Sequence, residues 1–370
     1  MSRIRIIITI IVVVLTTLLT GCTGKEPNEI AYVVALGIDS TDDDNYKITI
    51  QYANTTQISG GASESGGKAG SEIVDNVTIE APNIYAGVGL ANNIVSKSFS
   101  MSHAKLIVFS KEIAEKGVKD MIETLVRSEE IRPDVFIAVA NTTANDYLTS
   151  VNPEMEVNPA QYYQLIYQKN QLVGIPDGQL REFFTGLYTD NYDSILPIAG
   201  VIEGSGGNSQ NDDKGQSKDS QNEGSEGSSE SLDSFESKSS NEKDENEKEK
   251  DAEKNTSKYE YDIKNYVGGE TAIEKKNKAE AIGAAVFEKD KMVGELGEVE
   301  TEICKMLKGD YTYSYLTYYN NDTPDIPITV KTTQQKKPKY KIDTDKKTVD
   351  IELYIESDLY SLPADYNVEN

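Results

Sequence analysis

The chain has little of what most enzymes and metal proteins use: one histidine, two cysteines and no tryptophan in 370 residues. A Cys/His metal cluster, a disulfide framework and a histidine relay all lack material. Basic charge is also scarce, with 37 Lys+Arg against 62 Asp+Glu and a formal net charge of −25. Such a surface repels a phosphate backbone, so nucleic acid is excluded as a partner. There is no Gly-x-Ser-x-Gly elbow, no His-Glu-x-x-His helix and no dinucleotide fingerprint, so neither a catalytic centre nor a cofactor is expected. With this many acidic residues, glycosidase-like carboxylate pairs exist by number, but no pair stands out. The length predicts two domains with a linker between them.

What is present begins with an address. Arg3 and Arg5 precede the apolar stretch Ile6 to Leu19, which is the layout of a secretory signal. Its fourteen residues fall short of the roughly 20 that a spanning helix needs. It ends on Leu19-Thr20-Gly21-Cys22, the spacing of a bacterial lipobox. In that motif the cysteine thiol is acylated, palmitate being one such chain, and the peptide is cut just before it. Residues 1–21 are therefore read as a lipoprotein signal peptide, and Cys22 as the anchor holding the chain to the lipid bilayer outside the cytoplasmic membrane. Cys304 would then be the one remaining cysteine, beside Val299, Ile303, Met306 and Leu307, and reads as a buried small hydrophobe.

Further along, Ala31 to Ile38 and Tyr46 to Tyr52 read as a hairpin around a turn rich in aspartate. That turn lacks the alternating ligands of a calcium loop. Thr55 to Glu72 has linker composition, and its Gly66-Gly67-Lys68 misses the phosphate-loop spacing. From Ile73 strands and helices alternate. Strands are predicted at Ile73–Ile79, Ala104–Phe109, Val135–Ala140 and Ile195–Ile202. Helices are predicted after Ala81 with Pro82 in the first turn, over Lys111–Arg127, Ala144–Ser150 and Pro159–Lys169, and over Gln179–Tyr188 after Asp177. Gly204 to Lys258 is acidic, with only Leu232, Phe235 and Ala252 apolar, and is predicted to be a disordered linker. Beyond it come a hairpin (Ala281–Phe287 with Lys291–Val293), a helix bearing Cys304, a strand carrying Tyr311, Tyr313 and Tyr315 on one face, and two late strands, Ile326–Lys331 and Thr348–Ile355. The expected fold class is α+β: a mixed α/β lipoprotein with an N-terminal α/β domain over 22–203, the linker over 204–258, and a short α+β part over 259–370. A two-stranded end is marginal in water, so the last part reads as incomplete.

Several blocks carry a resemblance. Ser102-His103-Ala104-Lys105-Leu106-Ile107-Val108, then Ala114-Glu115-Lys116-Gly117, then Arg127-Ser128-Glu129-Glu130-Ile131-Arg132-Pro133, resemble the Ger(x)C family of spore germination lipoproteins, the C subunits of spore germinant receptors. Leu36-Gly37-Ile38-Asp39 behind the lipobox and Ala285-Val286-Phe287 with Lys291 to Leu296 fit the same pattern in the same order. The resemblance implies a non-enzymatic lipoprotein on the outer face of the spore's inner membrane, working with membrane-embedded receptor subunits in germination. It also implies that the family continues beyond Asn370 with a helix and strands. His103 reads as a structural, hydrogen-bonded residue. His103, Lys105, Arg127, Glu130, Arg132 and Pro133 are the residues expected to serve structure or partner docking, the last two placed at a helix end where Arg132 complements the terminus and Pro133 stops it. A solute-binding lipoprotein of a transporter is the competing reading, and it requires two comparable domains around a cleft.

Overall fold

The structure is a computed structural model that describes residues 3–10, 29–43, 45–53, 74–152, 156, 158–168, 174–202, 265–271, 277–320 and 323–361. The expectations for Cys22, for the Gly-rich stretch 55–72 and for the acidic segment 204–258 lie outside these residues. Residues 3–10 are helical (α1). No described helix is long and apolar enough to cross a membrane.

A nine-stranded sheet organises most of the rest. Its hairpin comes first, β1 (Ile30–Ser40) and β2 (Tyr46–Ala53), extended by β3 (Val74–Ala81), all antiparallel. Helix α2 (Ile84–Ala91) follows, its first turn capped by Asn83, whose side chain accepts from Ala86 N at 2.9 Å. Pro82 therefore precedes the cap rather than entering the helix. Strand β4 (Ser98–Ser100) is a short parallel neighbour of β1 that its three polar-flanked residues do not announce. Strand β5 (Leu106–Ser110) then pairs parallel to β1.

The single helix expected over Lys111–Arg127 is two: α3 (Lys111–Lys116) and α4 (Lys119–Val126). They break at Gly117, whose φ of +123° lies in a region that L side chains rarely adopt. Strand β6 (Phe136–Ala140), helices α5 (Ala144–Ser150), α6 (Pro159–Gln168) and α7 (Leu180–Leu187), and strand β7 (Ile195–Val201) complete the alternation near the expected bounds. The strands β1, β5, β6 and β7 run parallel.

Helices cover both faces, as a parallel sheet requires. Alternate residues of β5 show the division: Ile107 and Phe109 face a core with α2, α3, α4 and α7, while Leu106 and Val108 face one with α5 and α6. Four tyrosines enter the second core, and each finds a hydroxyl or amide partner there. Tyr147 meets Tyr167 at 3.1 Å, Tyr163 donates to Gln51 Oε1 at 2.5 Å, and Tyr162 accepts from Asn277 Nδ2 at 2.9 Å.

The sheet does not stop at the acidic segment. β8 (Ala279–Glu288) pairs antiparallel to β7, and β9 (Lys291–Leu296) pairs to β8. The N-terminal sheet thus takes its last two strands from the part of the chain expected to form a separate C-terminal unit. Residues 265–271 pack back with it. A Cβ on Gly200 would stand 2.0 Å from the carbonyl carbon of Gly268, so this approach admits only glycine.

Helix α8 (Glu298–Lys308) carries Glu298 and Glu300 in its first turn and Lys305 and Lys308 in its last, and ends on Gly309 in the left-handed region. After it, β10 (Tyr313–Asn320), β11 (Thr323–Asp343) and β12 (Thr348–Ser361) form a three-stranded antiparallel sheet. The two late strands are far longer than their apolar runs suggested. Tyr311 stands before β10, not on it, and its hydroxyl is buried beside Ser314 and Thr332. Cys304 is half-buried and Ile303 is exposed, so the expected burial of this helix face is only partial.

Candidate functional site

The residues singled out in the sequence gather at one edge of the sheet, where β5 and β6 begin. His103 closes a single 3-10 turn, Met101–His103, with an exposed ring; its Nδ1 lies 3.0 Å from Ser102 Oγ and the ring meets Tyr32 edge-on at 4.9 Å. Lys105 works through its backbone, donating to Val34 O at 2.9 Å and accepting from Phe136 N at 3.0 Å. It thereby ties the start of β5 to the middle of β1 and to the start of β6.

The second block, 127–133, is a loop rather than a helix end. Helix α4 stops at Val126 with Arg127 as its cap, so Arg132 and Pro133 lie beyond it and neither complements nor terminates it. The reason is local: Ser128 Oγ accepts from the amides of Glu130 and Ile131, both at 3.2 Å, which turns the chain out of the helix five residues earlier than Pro133 requires. Ile131 is buried and anchors the loop. Arg127 reaches back one turn to Glu123 at 3.0 Å, and Tyr188 donates to the same carboxylate. Those bonds hold the Glu123 carboxyl below its ordinary range, the Tyr188 hydroxyl contributing most. Pro133 O accepts from Arg181 N at 3.0 Å, which fastens the loop to the start of α7.

One bond joins the two blocks. Glu130 Oε2 accepts from Met101 N at 2.6 Å, so the turn before β5 and the loop before β6 form a single surface. The side chains of His103, Arg127, Glu130, Arg132 and Pro133 on that surface are exposed. Ser102 and His103 set a hydroxyl beside an imidazole on that turn; among the described residues no group of three His, Cys, Asp or Glu side chains is placed to hold a metal.

At the opposite ends of the same strands lies a feature built on Asp39, the last residue of the Leu36-Gly37-Ile38-Asp39 block. Asp39 is buried at the end of β1, and its carboxylate accepts from Ala144 N at 2.6 Å and Asn145 N at 3.0 Å, starting α5. Burial raises its pKa and the two amide bonds only partly offset this. Around it Ser40, Ser110, Lys111, Glu112 and Thr143 line an open groove of about 380 Å³. In the sequence Asp39 closes the Leu36-Gly37-Ile38-Asp39 block, where an aspartate after an apolar strand also reads as a turn residue.

A larger cavity of about 430 Å³ lies where Pro176, Asp177, Ser194 and Leu196 meet Lys305, Lys308 and Tyr311. Asp177, expected only to precede a helix, is half-buried there, and burial pushes its carboxyl up. The helix begins instead after Gln179.

The chain matches two family models. One is described as the spore germination protein N-terminal domain and covers residues 24–201; the other, spore germination B3/GerAC-like, C-terminal, covers 282–370. Similar proteins include spore germination protein KC of Bacillus subtilis, 26% identical over 176 residues, which are 44% of this chain and 43% of that one. Spore germination protein B3 of the same organism is 26% identical over 148 residues, 37% of this chain and 36% of the relative. Spore germination protein GerQC of Bacillus cereus is 27% identical over 104 residues, 28% and 29% of the two chains. The chain thus spans less than half the length of the curated relatives it matches. No solved structure matches it. The N-terminal model ends at the last residue of β7 and the C-terminal model begins inside β8, so the two matched regions meet along one strand ladder, and the chain belongs to the GerAC-like family of spore germination proteins.

Proposed function

We propose that the chain is a non-catalytic subunit of a germinant receptor, held to the outer face of the cytoplasmic membrane through acylated Cys22 and acting in spore germination with membrane-embedded partner subunits. The observation that carries this reading is the edge formed by the 101–105 and 127–133 blocks. It is held together through the Glu130 to Met101 bond and the Ser128 turn, and it presents charges and a proline to solvent. A hydrogen-bonded, charged surface suits recognition of another protein. Arg132 is exposed, so its guanidinium is available to a partner carboxylate.

Arg132→Glu tests the docking role. The variant is expected to fold with unchanged thermal stability and to lose co-purification with receptor partners from spore membranes; unchanged assembly and germination would end the docking reading. Cys22→Ala tests the anchor separately. It is expected to leave the protein unprocessed and unlipidated, and a variant of normal mature size in the membrane fraction would refute the lipid attachment. The solute-binder reading needs a cleft between two comparable domains. Here the later strands β8 and β9 complete the first sheet, which leaves the three-stranded sheet alone as a second body.

A further inference from the structure

Helix α8 is shared by the two sheets. On one side Lys305 Nζ donates to Ile175 O at 3.1 Å and Glu298 N donates to Tyr266 O at 2.8 Å. On the other, Gln334 Nε2 donates to Met306 O at 2.9 Å and the Tyr340 hydroxyl donates to Leu307 O. Midway stands Glu302, a carboxyl only 3% exposed. Its Oε2 accepts from Ser314 Oγ at 2.7 Å. Ser314 Oγ lies 2.7 Å from the Tyr311 hydroxyl, and that hydroxyl lies 2.5 Å from Thr332 Oγ1. One carboxyl thus ends a hydroxyl chain that runs from the helix through β10 to β11.

Ionisation suits this place poorly. A buried carboxylate needs a counter-charge or several donors, and Glu302 has one neutral donor from the hydroxyl chain. Glu298, one turn earlier on α8, repels it. Lys305, one turn later and 6% exposed, attracts it weakly, while also feeling Asp310 and Asp177. From β10, β11 and the residues leading into β10 the facing groups are the hydroxyls of Ser314, Thr332 and Tyr311, which carry no charge near neutrality. Burial dominates and pushes the carboxyl up to about 7, the Ser314 bond notwithstanding. As an acid, Glu302 gains a proton to donate into the same chain, and each hydroxyl then both gives and accepts.

We infer that Glu302 is a proton-operated latch that seats the three-stranded sheet on α8, closing when protonated and loosening when ionised. The direction follows from linkage. The closed joint holds the proton up to about pH 7, whereas a solvated glutamate loses it near 4.5. The proton-linked tightening is therefore complete below about 4.5, is lost as pH rises through that window, and is absent above about 7. One linked proton changes the opening constant by at most about ten-fold per pH unit.

Hydrogen exchange on the full chain between about pH 5 and 8, corrected for intrinsic rates, reads the latch directly. The Ser314 and Thr332 amides are expected to open up to about ten-fold less per unit as pH falls from 7 to 5, relative to the amides of β5, with a flat profile above 7. Glu302→Gln, which keeps the shape and cannot ionise, is expected to abolish the slope. A pH-independent wild type, or the same slope in Glu302→Gln, would overturn the latch. Carbon-13 carboxyl shifts of labelled glutamate in the wild type give the answer even if the variant does not fold: one carboxyl titrating near 7 is expected, and all titrating below about 5.5 would defeat it.

Discussion

Strands β5 and β12 belong to the same molecule and obey opposite economies. β5 is Leu-Ile-Val-Phe-Ser and is buried on both faces between helical layers. β12 alternates Val349, Ile351, Leu353 and Ile355 with Asp350, Glu352, Tyr354 and Glu356, yet even its apolar side is largely exposed. The register puts Ile342 opposite Val349 and Tyr340 opposite Ile351, so these side chains share one face. That face is covered where α8 crosses it, at Ser314, Thr332 and Gln334, and open elsewhere. An alternating pattern chooses which side is apolar; a second layer decides whether that side contributes stability. In the nine-stranded sheet the layers are present. In the three-stranded sheet one helix supplies a strip of cover and the rest of the hairpin stands free.

The contrast can be broken or sharpened by four measurements. The largest effect is expected at Phe287, fully buried on β8 and edge-on to Phe183 of α7 at 5.0 Å. Phe287→Ala should cost about 3–5 kcal/mol in urea unfolding and destabilise β5 and β6 with it. Loss confined to residues after 265 would separate the two parts after all. Next, amides of β12 should exchange at least about a hundred-fold faster than those of β5, since one edge of β12 has no paired strand among the described residues. Equal protection would show a layer over the hairpin that the contrast denies. Gly200→Ala should cost about 1–3 kcal/mol, because the new Cβ meets the Gly268 backbone rather than a movable side chain. A neutral Tm there would mean that 265–271 does not hold the sheet. The smallest effect belongs to Ile342→Ala on the open face, where the side chain is 69% exposed. A shift under about 0.5 kcal/mol is expected, and a core-sized loss would reveal hidden burial.

Much of the nine-stranded sheet was legible because its elements are local and strongly patterned. Tyr46 to Tyr52 alternates, Leu106 to Phe109 is a solid apolar run, and Ala144 to Ser150 carries its own Thr143 cap. What escaped was either short or non-local. β4 has three residues and no pattern of its own. β11 was expected only over Ile326–Lys331, and its continuation to Asp343 carries Pro338, which ordinarily argues against a strand. It tolerates Pro338 because the pairing with β12 slips in register between Lys336 and Lys339. On the surface formed by 101–105 and 127–133 the residues were visible but their assembly was not: the bond from Met101 to Glu130 spans 29 positions, and no local rule pairs a strand's leading turn with a later loop. The helix end assigned to Arg132 and Pro133 failed for the opposite reason, a local serine turn acting before the proline.

The ladder between β7 and β8 has a consequence for what cleavage can do. The chain leaves the sheet after Ile202 and re-enters beside the place it left, with Val201 opposite Ala279 and Ile202 donating to Lys278 at 2.8 Å. The two sides are further clasped by Asn141, whose amide donates to Gly268 O at 2.6 Å. A protease cutting anywhere between those margins would sever the polypeptide without parting its products. Two chains made separately, one ending after β7 and one starting before residue 265, are expected to co-purify through the β7–β8 ladder, an outcome that co-expression of the two halves would check.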